Sequence, residues 1–228
     1  MLTNSFRGDI EFIFNKLKNK EKFSFSKYAD GEYAILRNVS ITNCDNWTFD
    51  RNKHQHVHEQ LLESFTYKDS GYYVGISCPC CQPRDHIDWM RSKVTQNVTW
   101  ANIFVNSNYE YYKNNFISEY ANNDVVLFSR EDSRLNDLPF PVKEHVPITK
   151  NAFLDNFDLI KNFNVETYNN KLFLFCAGPL GNMLAAKFWE KNKNNIYLDI
   201  GSTLNIYLTE PNRGYLLGFG ENNKNCIW

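Results

Sequence analysis

The chain has 228 residues, 43% of them apolar and 22% charged, enough to bury a sizeable core in one domain spanning residues 1–228. Its 25 Lys and Arg against 26 Asp and Glu leave a formal net charge of −1, so no basic surplus draws nucleic acid or an anionic membrane. No apolar run approaches the ~20 residues of a membrane span, and the opening MLTNSFRGDIEFIF carries an acid where an export signal needs an apolar core, so a cytoplasmic location is expected.

Apolar residues at Ile10, Phe12, Ile13, Phe14 and Leu17 predict a helix over residues 5–19. FSFSK then alternates and predicts a strand ending near Lys27, and GEYAILRNV predicts a helix directly after it. HQHVHEQLLESFTY predicts a helix with Val57, Leu61, Leu62 and Phe65 on one face, and GYYVGIS a strand. His54, His56 and His58 spread over two faces of that helix and read as its solvated start. Farther on, HIDWMRSKV predicts a helix, ANIFVN a strand, NYEYYKNNFISEYA a helix and DVVLFS a strand. HVPI predicts a strand, NAFLDNFDLIKNF a helix, KLFLFCAG a strand, LGNMLAAKFWEKN a helix and NIYLDIG a strand. Repeated βα order argues for an α/β, Rossmann-like fold: a mostly parallel sheet with helices on both faces. Residues 130–145 are the least regular and predict a loop. Trp89, Trp100, Trp189, Tyr111 and Tyr112 read as core rather than as sugar platforms.

Six Cys are present, at 44, 78, 80, 81, 176 and 226. Without an export signal they are expected as free thiols. The SCPCCQPRDH segment raises a zinc reading, but zinc sites commonly join two Cys or Cys/His pairs, and here one tight cluster has only His86 nearby. Cys78, Cys80 and Cys81 are therefore expected to carry no zinc. The sequons at Asn38, Asn46 and Asn97 are expected to stay unmodified.

Ligands of open parallel sheets bind beyond the carboxyl ends of the strands. Three predicted strand ends carry chemistry there. KYADGE places Asp30 and Glu32 in an apolar frame; two close carboxylates repel unless a cation sits between them, and hard Mg2+ or Mn2+ prefer oxygen ligands. In CAGPLGN, Gly178 and Gly181 begin a turn into a helix, where backbone N–H groups hold phosphate or where any βα turn simply wants Gly. LDIGST places Asp199 at a strand end, where an acid meets a ribose hydroxyl or a metal.

FSFSKYADGEYAIL resembles the Arg-Phe-Gly-Asp-Gly-Glu segment of the small bacterial nucleotide-sugar glycosyltransferases of the GT-D fold. YYVGIS, HVPITKNAFLDNFDLI and LFLFCAGPLGNMLAAKFWEKNKNNIYLDIGSTLNIY resemble further segments of that family in the same order, across residues 7–208. The resemblance implies a metal-dependent transfer of sugar from a nucleotide-sugar donor to a glycan or glycoprotein acceptor. It implies Asp30 and Glu32 as catalytic and metal-holding, with Mn2+ or Mg2+ as cofactor. It implies Lys27, Gly31, Arg134, Asn151, Gly178, Gly181, Asp199 and Ser202 as nucleotide-sugar contacts, and it leaves room for a homodimer. Three departures stand out: Lys27 replaces Arg, which loses bidentate geometry; Ser202 replaces His; and DSRLND at residues 132–137 keeps only part of a longer family segment. Two other classes remain open. A Rossmann nucleotide- or S-adenosylmethionine-binding enzyme would want a Gly-x-Gly turn after its first strand. The other is a non-enzymatic binding module with structural zinc at the Cys loop.

Overall fold

The computed structural model describes residues 2–3, 5–43, 47–95, 97–210, 214, 216 and 226. Cys44 and Asn46 lie outside them. Helix α1 (Phe6–Lys18) starts at Ser5, whose hydroxyl accepts the Gly8 N–H at 2.9 Å. Its buried stripe of Phe6, Ile10, Ile13 and Leu17 follows helical spacing; each such side chain stabilises the fold by about 1.5–3 kcal/mol. Strand β1 (Ser24–Lys27) runs straight into α2 (Asp30–Leu36). A small antiparallel ribbon follows, β2 (Ile41–Thr42) and β3 (Thr48–Phe49), which sequence reading missed. Next come α3 (Gln55–Thr66), β4 (Tyr72–Ile76), α4 (Arg84–Lys93) and β5 (Val98–Trp100). Short helices α5 (Tyr109–Tyr111) and α6 (Ser118–Tyr120) flank a π-helical turn, Tyr112–Ile117. The remainder is β6 (Asp124–Arg130), β7 (Glu144–Ile148), α7 (Ala152–Asp155), α8 (Leu159–Asn162), β8 (Lys171–Phe175), α9 (Pro179–Lys191), β9 (Ile196–Asp199) and α10 (Asn205–Leu208).

Seven strands form one wholly parallel sheet in the order β5-β4-β1-β9-β8-β6-β7. Alternation along β1 shows how both faces are covered. The hydroxyls of Ser24 and Ser26 donate to α9 carbonyls of Ala185 (2.9 Å) and Asn182 (3.4 Å), so small residues let α9 lie close. Phe25 points the other way, with its ring 5.1 Å from Phe104, which packs in turn on Tyr112 and Phe116. Phe173 and Phe175 of β8 meet Phe188 of α9 on the first face. The expected α/β sheet with helices on both faces is what the structure shows.

Two predicted elements differ. ANIFVN is no strand: the ladder ends where Ala101 N–H donates to Ile76 O at 2.7 Å, and Ile103 and Phe104 are buried in the turns that follow. The single helix predicted over residues 151–163 is broken into α7 and α8. At the break, Asn156 accepts the Thr149 N–H (2.9 Å) and Asp155 accepts the Thr149 hydroxyl (2.7 Å), so side chains compete with helical pairing.

Candidate functional site

β1 delivers its chain to the carboxyl edge of the sheet, and the site begins there. Ala29 stands at the start of α2 and has no side-chain acceptor, so Glu32 does the capping: its Oε2 accepts the Ala29 N–H at 3.0 Å. Glu32 is buried and Asp30 exposed, and both line a cavity of about 540 Å3. Burial pushes the Glu32 carboxyl above its ordinary value, against the pull of nearby Lys27. Gly31 does not face the cavity. A Cβ there would sit 2.8 Å from Trp47 Cζ2 and 2.9 Å from Asn43 Nδ2, so Gly31 is small because the indole lies against it.

β9 and β8 supply the neighbouring wall. Asp199 is buried beneath the cavity, its Oδ2 accepting from Lys27 N–H (3.1 Å) and its Oδ1 from Gly201 N–H (3.2 Å). Burial first, and Glu32 after it, raise the Asp199 carboxyl to about 7, against Lys27. Gly201 has φ +54°, and a Cβ on it would lie 2.8 Å from Lys27 Nζ, so the Lys27 side chain runs over this glycine. Gly178 has φ +53° and ψ −141°, a backbone state essentially reserved for glycine. It turns the chain from β8 into α9 at the cavity wall. Gly181 is a packing residue: a Cβ there would be 3.1 Å from that of Phe175 and 3.4 Å from Asp199 Oδ1. Asn182, unforeseen from sequence, donates to Ser26 Oγ at 3.2 Å and to Lys27 O, tying α9 to the end of β1.

The cavity thus gathers Lys27, Asp30, Glu32, Arg134, Gly178 and Ser202 of the sequence-derived set. Gly31, Gly181 and Asp199 stand behind its wall. Asn151 lies between two lining residues, Lys150 and Ala152, and its buried side-chain oxygen has no hydrogen-bond partner. Arg134 lines the cavity beside Thr209 and Glu210, donating to Glu210 Oε1 (2.9 Å) and Thr209 O (2.6 Å). Sequence reading missed Trp47, Asn43, Arg130, Lys150 and Gly201. Gly201 had a signal in the quoted LDIGST; Asn43 and Trp47 flank the connection between the two-residue strands β2 and β3, which has no periodicity to read. None of His54, His56 and His58 lines the cavity; His58 Nδ1 instead pairs with Ile35 O at 2.8 Å.

A metal at Asp30 and Glu32 is consistent with their chemistry. Both offer oxygen donors, which suit Mn2+ and Mg2+. Among the described residues no three carboxylates or imidazoles converge at ligand spacing, so an ion there would draw its other ligands from substrate and water. Cys176 also lines the cavity, and burial pushes its thiol far above the ordinary value.

A second cavity, about 270 Å3, shares Lys27, Ala29, Asp30 and Ser202 with the first. Its far wall is the Cys loop with Asn102, Phe104 and Asn106. Cys78, Cys80, Cys81, Cys176 and Cys226 form no disulfide, but the premise of the no-zinc expectation, a cluster with no distant cysteine to complete it, fails. Cys226, 145 residues beyond Cys81, folds back to join the cluster.

No family model matches the chain, and no curated protein matches it. Solved structures do. A selenomethionine-substituted structure of domain of unknown function 1792 superimposes with a TM-score of 0.59 at 16% identity, over 83% of this chain and 76% of that one. A second structure, described as showing that this domain "has a distinct glycosyltransferase fold", agrees to the same extent. A third, described as a new glycosyltransferase of domain 1792 from Streptococcus sanguinis, gives 0.62 at 15% identity over 85% and 80%. No helix among the described residues is long and apolar enough to cross a membrane. The chain has the distinct glycosyltransferase fold of domain 1792, as the GT-D resemblance of its motifs implied.

Proposed function

We propose that this protein transfers a sugar from a nucleotide-sugar donor to a glycan or glycoprotein acceptor, with Mn2+ or Mg2+ held by Asp30 and Glu32. One observation carries the reading: two cavities meet at Lys27, Asp30 and Ser202, at the carboxyl ends of adjoining parallel strands, in a glycosyltransferase fold. A transferase needs two substrates side by side. The larger cavity suits the donor. Arg134 and Lys150 supply positive charge for a diphosphate, and the positive end of the α9 dipole at Gly178 and Pro179 adds to it. Trp47 and Asn43 supply an apolar wall and a polar contact for the nucleoside. The smaller cavity suits the acceptor.

Negative charge grows on the diphosphate as the sugar bond breaks. A bound divalent ion would act there as a Lewis acid, worth several kcal/mol in the transition state. Lys27 adds a second cation on the same side, held in place over Gly201. Among the described residues, Asp30 is the acid that lines both cavities. Purified protein incubated with a panel of nucleotide sugars and Mn2+ should release nucleoside diphosphate from one of them. Release from none, with no nucleotide sugar raising the thermal midpoint, would overturn the reading.

A further inference from the structure

We infer that Cys78, Cys80, Cys81 and Cys226 form a structural zinc site that closes the far wall of the smaller cavity. All four sulfurs lie within 4.8 Å of one another. Individual separations are 3.3 Å for Cys78–Cys80, 2.9 Å for Cys80–Cys226, 3.5 Å for Cys78–Cys226 and 3.8 Å for Cys81–Cys226. A tetrahedral ion with bonds of about 2.3 Å sets its sulfurs about 3.8 Å apart. Four sulfurs this close enclose one ion, and they leave no room for an iron–sulfur cluster. They also crowd one another without it.

The surroundings fit thiolates better than thiols. Asn102 Nδ2 lies 3.2 Å from Cys78 Sγ, 3.3 Å from Cys81 Sγ and 3.1 Å from Cys226 Sγ. Asn106 Nδ2 lies 3.4 Å from Cys226 Sγ and 3.7 Å from Cys81 Sγ. Two amide groups therefore donate into the cluster, and Asn102 does so while its own oxygen is buried without a partner. Donors of this kind orient and neutralise metal-bound sulfur. The backbone is set for the same purpose. Cys81 N–H and Gln82 N–H both donate to Cys78 O at 3.1 Å, folding the loop into a tight turn, with Cys78 and Cys81 at the Cys-x2-Cys spacing. Ser107 Oγ–H donates to Cys226 O at 2.7 Å and fixes the fourth ligand.

Four protein ligands leave no open position, so the ion would be structural. It would join the loop after β4 to the distant Cys226. Binding releases the thiol protons to solvent and involves no redox partner. Cys78, Cys81, Asn102 and Asn106 line the smaller cavity, so the ion would stiffen that wall. The zinc reading does not depend on the proposed activity.

The test is elemental analysis of the full chain, expressed with zinc and purified without chelator. The expected result is about one zinc per chain, falling to near zero in both Cys78→Ser and Cys226→Ser. Asp30→Asn should keep its zinc, which separates this site from the carboxylate pair. Should the Cys variants fail to fold, Co2+ exchanged into the parent replaces them: it should give the sulfur-to-cobalt charge-transfer band and visible spectrum of a tetrahedral thiolate site. Parent protein that holds no zinc and takes up neither ion overturns the proposal. So does a disulfide between Cys80 and Cys226 in the purified protein, or zinc retained in folded Cys226→Ser.

Discussion

β1 and β4 are neighbours in the sheet, parallel and in register from Ser24 opposite Tyr72 to Lys27 opposite Gly75. Their carboxyl ends carry opposite chemistry. β1 ends in Asp30 and Glu32, two hard oxygen donors, one exposed at a cavity and the other half occupied in capping α2. β4 ends in Cys78, Cys80 and Cys81, soft donors that gather Cys226 and the amides of Asn102 and Asn106 around them. One end offers ligands with room left for a substrate. The other offers a full set with none. The sheet fixes where both groups stand, and the loop chemistry decides whether the place is suited to reaction or to bracing.

Removing charge at the β1 end should have the largest effect. Asp30→Asn and Glu32→Gln keep shape and remove one negative charge each, so turnover should fall by roughly a hundredfold or more, the scale of losing one such electrostatic contact. Steady-state kinetics check this, with circular dichroism to confirm the fold. Variants that work at the parent rate would make the pair a structural turn.

Backbone strain should come next. Gly178→Val forces a side chain into φ +53°, ψ −141°, a cost of about 1–3 kcal/mol. The unfolding free energy from urea titration should fall by that amount, and the midpoint with it, with no nucleotide present. Weak nucleotide binding in this variant is therefore no measure of phosphate contact, and an unchanged midpoint would contradict the geometry.

A third effect concerns pH. Asp199 is raised to about 7 from an ordinary value near 3.8, so the native state keeps a proton that the unfolded chain has lost. From this group, stability should decline as pH rises from about 4 to about 7 and level off above that. Asp199→Asn should flatten the decline, read as urea midpoints at pH 5 and pH 8. An equal slope in both proteins would show that Asp199 does not hold its proton.

The legible parts of this molecule are those whose signal is local. β1, β4, β6, β8 and β9 are short apolar runs bounded by turns, and α1, α3 and α9 show helical spacing, so the βα order was readable. Asp30, Glu32, Gly178 and Asp199 were readable because each sits at or just past the end of such a run. ANIFVN misled because Ile103 and Phe104 are buried in a turn, and burial alone looks like a strand. The break between α7 and α8 depends on Thr149, outside the segment. Trp47 reaches Gly31 from a ribbon too short to show a period, and Cys226 reaches Cys81 across 145 residues. Both are tertiary facts with no local trace.

Binding of a nucleoside diphosphate with and without Mn2+ tests the central claim most directly. Uridine and guanosine diphosphates titrated by calorimetry into the parent, Asp30→Asn and Glu32→Gln separate the ligand's own affinity from the metal's contribution. Mn2+ should tighten binding of one of them at least about tenfold in the parent, a gain of about 1.4 kcal/mol, and should lose most of that gain in each variant. Binding that is equally tight in all three proteins with or without Mn2+ would contradict a metal held between Asp30, Glu32 and the diphosphate.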